Sequence, residues 1–172
     1  MVQIVTANKD QHASQIRELF WEYLVWANSK VNEEFGVNFD IATMLDDDMH
    51  DLDKFMPPGG RLLLGYADVR LAGIACLKAL TAGIGEVKRM YVRPEARQRG
   101  LGRALLNRLV EEAGQIGYER LRLDSARFMK AAHQLYGTIG FREIEAYPGS
   151  EIPQEFQTHW IFMEMELSRK KG

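Results

Sequence analysis

The stretch "RPEARQRGLGRALL", residues 93–106, sets Arg93, Arg97, Arg99 and Arg103 around Gly100 and Gly102. Arginines repel one another, and a glycine inside a helix costs about 1 kcal/mol relative to alanine. Yet Leu101, Leu105, Leu109, Ala113 and Ile116 recur on one stripe, which predicts a helix over about 100–116. The glycines and arginines therefore sit where a helix begins. The first N–H groups of a helix lack internal acceptors and carry partial positive charge. A pyrophosphate laid across them gains several hydrogen bonds, and glycines let it approach the backbone. Arg97, Arg99 and Arg103 would add charge. A tight turn with solvated arginines fits the same residues, so this stretch alone leaves both readings open.

Working outward, "GEVKRMYV" (85–92) reads as a strand that Pro94 helps to end. Before it, "RLLLGYAD" (61–68) and "VRLAGIACLKAL" (69–80) suggest an antiparallel hairpin with a tight turn near Asp68–Arg70. After the helix, "RLRLDS" (120–125) alternates as a strand, and "FMKAAHQLYGTIG" (128–140) is helical up to Gly140. "FREI" (141–144) and "WIFMEMEL" (160–167) add two further strands. Towards the N-terminus, "VQIVT" (2–6) is a strand, followed by helices over about 12–28 and 40–55 that "PPGG" (57–60) closes. The order β-α-α-β-β-β-α-β-α-β-β predicts an α/β fold, with helices flanking a mixed, mostly antiparallel sheet. No repeat or linker interrupts residues 1–172, which are expected to form a single domain.

Composition narrows the function. With 46% hydrophobic and 27% charged residues, the chain suits a soluble globular protein. A formal net charge of −2 gives no basis for nucleic-acid binding. No uncharged apolar run approaches the roughly 18 residues of a membrane span, and "MVQIVTANKD" lacks the pattern of a signal peptide. Cys76 is the only cysteine, so no internal disulfide forms and a cytoplasmic setting is expected. The P-loop pattern G-x-x-x-x-G-K-[ST] is absent, and G-x-G-x-x-G would need glycine where Leu105 stands. Both gaps argue against an ATP or nicotinamide enzyme.

Arg97-Gln98-Arg99-Gly100-Leu101-Gly102 resembles the (R/Q)-x-x-G-x-(G/A) signature of the GNAT superfamily of acyl-CoA-dependent N-acetyltransferases. "EVKRMYV" stands where that family has its pantetheine-binding strand, and "AAHQLYGTIGF" (131–141) resembles its A-x-x-x-Y-x-x-x-GF segment. Order and spacing agree over about residues 60–145. The sequence departs from the family at Met129, where many members carry asparagine that helps to hold the cofactor arm.

The resemblance implies a GNAT fold and acetyl transfer from acetyl-CoA to a primary amine, by direct attack in a ternary complex. No metal is implied. Backbone amides from Gln98 to Ala104, a run that includes Arg99, Gly100, Leu101, Gly102 and Arg103, would hold the pyrophosphate beside the Arg97 side chain. Backbone groups of Met90, Tyr91 and Val92 would pair with the pantetheine as with an added strand, and the Met90 N–H would meet the thioester carbonyl. Glu86, eleven residues before Arg97, is the candidate base; a solvated strand-end glutamate is the plainer alternative. Strand alternation places Glu86, Lys88 and Met90 on one face. Tyr136 is the candidate acid, because its pKa of about 10 exceeds the 8.5 or so of a thiol.

Other residues read as structural. Cys76 lies in the apolar run "LAGIACL" and is expected to pack in the core. His12, His50, His133 and His159 show no metal-ligand spacing, and "DDDMHDLD" (46–53) reads as a solvated acidic helix face. Trp26, Tyr147, Phe156 and Trp160 are aromatic candidates for the acceptor pocket, although packing explains each. Acids gather over 31–60 and bases over 86–108, a separation that suits coenzyme A on one side and a cationic small-molecule amine on the other. A homodimer is compatible with this reading. Two other functions fit the same motifs: a non-catalytic acyl-CoA sensor, and an acetyltransferase for protein N-termini or lysines.

Overall fold

The computed structural model describes residues 1–168. Its strands and helices run β1 (Val2–Thr6), α1 (Ala13–Phe35), α2 (Ile41–His50), β2 (Arg61–Ala67), β3 (Arg70–Thr81), β4 (Ile84–Val92), α3 (Leu101–Ile116), β5 (Arg120–Ala126), α4 (Lys130–Ile139), β6 (Arg142–Ile144) and β7 (Trp160–Glu166). The seven strands form one sheet in the order β1-β2-β3-β4-β5-β7-β6. Only β4 and β5 pair in parallel, joined by the α3 crossover. This is the mixed, mostly antiparallel α/β architecture expected from the sequence.

Helices cover both faces. On one, Leu101, Leu105, Leu106 and Leu109 of α3 are fully buried against Leu63, Ala75 and Leu77, each contributing about 1.5–3 kcal/mol. A Cβ on Gly65 would lie 2.7 Å from Leu101 Cδ1, so glycine there lets α3 settle onto β2. On the other face, Ile16, Leu19 and Phe20 of α1 and Leu45 of α2 pack on Leu62, Leu64, Ile74 and Cys76. Cys76 is wholly buried, and burial pushes its thiol pKa well up, in keeping with a core role.

The β2–β3 turn is the two-residue loop Asp68-Val69, both at positive φ (47° and 64°), as a type I′ hairpin requires. Two helix bounds need correction. The first helix runs past residue 28 to Phe35, because Val31 is buried and Gly36 ends the helix with a left-handed cap. Asn28, where the periodicity fades, instead holds the returning chain: its side chain accepts from the Phe39 N–H and donates to Asn38. The second helix stops at His50 and passes into a 3-10 turn over Leu52–Phe55.

Candidate active site

β4 and β5 pair only over Ile84–Glu86 and Arg120–Arg122. Beyond Glu86, no strand among the described residues pairs with β4 on its β5 side. A cavity of about 340 Å3 opens in that gap. Val87–Met90 and Leu123–Ala126 form its strand walls, with Tyr23 of α1, Tyr136 of α4, Trp160 and the loop residues Glu151–Pro153 closing the sides. The gap leaves the β4 backbone able to take an extended guest by β-augmentation.

A bulge lies in the same stretch. Cys76 pairs with Lys88 and Ile74 with Tyr91, so two residues of β4, Arg89 and Met90, oppose Ala75 alone. Arg89 takes φ 51°, a conformation that costs an ordinary L-residue about 1–3 kcal/mol. The bulge resets the alternation, which corrects the single face expected for Glu86, Lys88 and Met90. Arg89 reaches Asp48 of α2, Lys88 reaches Asp124 of β5, and both meet the loop carboxylate of Glu151, while Met90 and Val92 pack with the α3 side. Tyr91 faces the α1 side against Tyr23 and Trp26.

The glycine-arginine turn adjoins the end of β4. Gln98 and Gly100 are both left-handed, at φ 61° and 84°, and Gly100 is the N-cap of α3. The first helical bond is Ala104 N–H to Gly100 O at 3.0 Å. The N–H groups of Leu101, Gly102 and Arg103 lie ahead of it, without intrahelical acceptors. A Cβ on Gly102 would come within 3.8 Å of Met90 and Val92 and 3.4 Å of Leu135, so glycine leaves the space between β4 and α4 open. The arginines have partners in the chain. The Arg97 guanidinium lies over Trp26 (4.9 Å to its centroid) and its Nε donates to Val92 O; Arg99 pairs with Asp68, and Arg103 donates to Thr138 Oγ1.

Tyr136 is the buried residue of α4. Its hydroxyl donates to Met90 Sδ at 3.8 Å, and burial pushes its pKa up, so it stays protonated. Tyr136 and Met90 therefore meet. Glu86 stands apart. It is 1% exposed, outside the cavity lining, and accepts a 2.7 Å hydrogen bond from Tyr147. Burial raises its pKa, opposed by the charge of Lys88. Of the aromatic candidates only Trp160 lines the cavity: Trp26 packs on Tyr91 and Phe128, and Phe156 on Phe39.

Two features escaped the sequence reading. Ser125 Oγ lies in the cavity wall, 2.9 Å from His133 Nε2 and 3.5 Å from the sulfur of Met129. A polar pair thus adjoins the position where the family carries asparagine. The second is a cluster of buried charges. Arg89 bonds Asp48 through Nε (2.7 Å) and Nη2 (3.2 Å), and Glu151 through Nη1 (2.7 Å) and Nη2 (3.1 Å). Lys88 Nζ reaches Glu151 at 2.9 Å and Asp124 at 3.3 Å. Burial acts to raise the Glu151 pKa, but the charges of Lys88 and Arg89 overcome it and hold the carboxyl well below the usual range. Asp48 is 2% exposed, which corrects its place on a solvated acidic face. Nearby acids are also paired, Asp46 with Arg17 and Asp53 with Lys9.

Residues 14–141 match the family described as the Acetyltransferase (GNAT) family. An uncharacterized N-acetyltransferase of Schizosaccharomyces pombe is 27% identical over 171 residues, 98% of this chain and 96% of that protein. N-acetylaspartate synthetase of Rattus norvegicus is 31% identical over 112 residues, 63% of this chain and 38% of its own length. Among solved structures, PaiA N-acetyltransferase from Thermoplasma acidophilum in complex with coenzyme A matches with a TM-score of 0.71. That match has 17% identity and covers 96% of this chain and 99% of that one.

Proposed function

The chain belongs to the GNAT family of acetyltransferases, and on that premise we propose that it moves an acetyl group from acetyl-CoA to the primary amine of a small molecule, by direct attack in a ternary complex. The observation that carries this reading is the open β4 edge, which runs from the cavity to the start of α3. The donor lies along that edge. Its pyrophosphate meets the N–H groups between Gln98 and Ala104, its arm pairs with Met90–Val92, and its thioester enters the cavity beside Tyr136. Coenzyme A bound to PaiA supports the donor, and the name N-acetylaspartate synthetase supports a small acceptor.

In this mechanism the amine nitrogen attacks the thioester carbon, and the Met90 N–H stabilises the charge growing on its oxygen, an effect commonly worth about 3–4 kcal/mol. As the C–S bond breaks, the Tyr136 hydroxyl hydrogen-bonds the departing thiolate and passes it a proton, which solvent restores to the phenolate. Glu86 accepts the amine proton through solvent. Its raised pKa brings it nearer the operating pH, which makes it a stronger base than a free glutamate.

Gly102→Val tests the donor groove. A Cβ there makes ordinary contacts, so the fold tolerates it, whereas the valine methyls occupy space between β4 and α4. Calorimetry is expected to show acetyl-CoA affinity falling at least about 10-fold, or 1.4 kcal/mol, with a smaller loss in Gly102→Ala. Unchanged affinity in a folded Gly102→Val protein would contradict the assigned groove.

A further inference from the structure

The charge cluster, four of whose residues line the cavity, bears on which amine enters it. Three cations, Lys54, Lys88 and Arg89, face three acids, Asp48, Asp124 and Glu151, among the described residues of this cluster. The acids are not equivalent. The side chains of Asp48 and Asp124, on α2 and β5, are 3% and 6% exposed. Glu151 is 38% exposed and lies in the loop between β6 and β7, outside any helix or strand. Its carboxylate bridges Lys88 and one edge of the Arg89 guanidinium, while Asp48 holds the other edge in place. Taking Glu151 out leaves one surplus positive charge on the cavity wall, with a planar fork and an ammonium converging on one point. That is a seat for a carboxylate.

The backbone reinforces this reading. A regular strand would turn Lys88 and Arg89 to opposite faces, and the positive-φ bulge turns both to the same side. Buried ion pairs add little net stability, so stability alone gives weak reason to hold such strain beside a substrate cavity.

We propose that the acceptor is an amino acid, or an amine likewise bearing a carboxylate, and that this carboxylate displaces Glu151 from Lys88 and Arg89. Glu151 fills the seat in the free protein and leaves it as the acceptor enters. The inference rests on the N-acetyltransferase reading above and has its own test. The cationic acceptor suggested by the acidic 31–60 segment is disfavoured, because Asp46, Asp48 and Asp53 already have basic partners.

The test compares L-amino acids with their carboxamides, by thiol release from acetyl-CoA, in the wild type and in Glu151→Gln. The amino acids are expected to exceed their amides in kcat/KM by about 30-fold or more, the range for truncating one partner of a buried charge pair. Glu151→Gln removes the competing charge, so it is expected to lower KM for the amino acids and leave that of the amides unchanged. A Glu151 that only pins the loop gives the opposite result: KM rises for both series. That rise, or equal turnover of acids and amides, would overturn the proposal. If neither series releases thiol although acetyl-CoA binds, the transfer reading fails, and calorimetry on the coenzyme A-loaded protein decides the seat separately. Saturable binding of N-acetyl amino acids over their amides supports it, and equal or absent binding of both overturns it.

Discussion

Tyr136→Phe is expected to lower kcat by about 10- to 1000-fold, since a lost general acid commonly costs 100- to 10,000-fold and solvent can replace part of it. Only the hydroxyl is removed. The ring still packs against Phe141, and acetyl-CoA affinity stays near that of the wild type. The hydroxyl donates to a thioether sulfur, that of Met90, so its direction suits a sulfur acceptor. Burial raises its pKa, so the hydroxyl carries its proton throughout the neutral range and the acid imposes no pH limit there. Glu86→Gln acts differently. Its kcat is expected to fall most at lower pH, where the amine is protonated, and to recover as pH approaches the roughly 10.4 of a lysine-like amine. A Glu86→Gln profile parallel to the wild type would move the base role to Asp124, a carboxylate in the strand wall of the cavity.

Arg89→Ala carries the largest expected effect on stability. Removing one partner of a buried ion pair typically costs about 3–5 kcal/mol. Lys54 stays on Asp48 and Lys88 on Glu151, which sets the expected loss near 3 kcal/mol. Urea unfolding measures it. Converting both Arg89 and Asp48 to apolar residues of similar size is expected to recover part of the loss, because Glu151 keeps Lys88 and only the partly exposed Lys54 loses its partner. A loss under about 1 kcal/mol in Arg89→Ala, the range of exposed ion pairs, would mean that water reaches this cluster freely.

Much of this site was legible because it is built from local signals. Gly100 and Gly102 ahead of a leucine stripe marked the start of α3, and "LYGTIGF" fixed Tyr136 on a helix ending at Gly140. The succession of strands along the chain followed from alternation, and the β2–β3 hairpin from the turn near Asp68–Arg70. What stayed hidden depends on contacts distant in sequence. Nothing around Arg89 announces a bulge: arginine has no preference for positive φ, and its support comes from Asp48 and Glu151, 41 and 62 residues away. Once that residue is inserted, the alternation used to align Glu86 with Met90 no longer holds. The Ser125–His133 contact likewise needs β5 and α4 to be docked first. Glu151 carried no signal, because an acid in a loop rich in glycine, serine and proline reads as solvated until the loop folds over the cavity.

The most direct measurement is the initial rate of free thiol release from acetyl-CoA across a panel of primary amines, with both substrates varied. Direct transfer in a ternary complex requires release that depends on the amine, an N-acetylated product, and double-reciprocal lines that intersect. Acetyl-CoA binding with no amine-dependent release would leave a sensor in place of an enzyme. Parallel lines would place an acetylated protein on the pathway. Either result would contradict direct acetyl transfer at the open edge of β4.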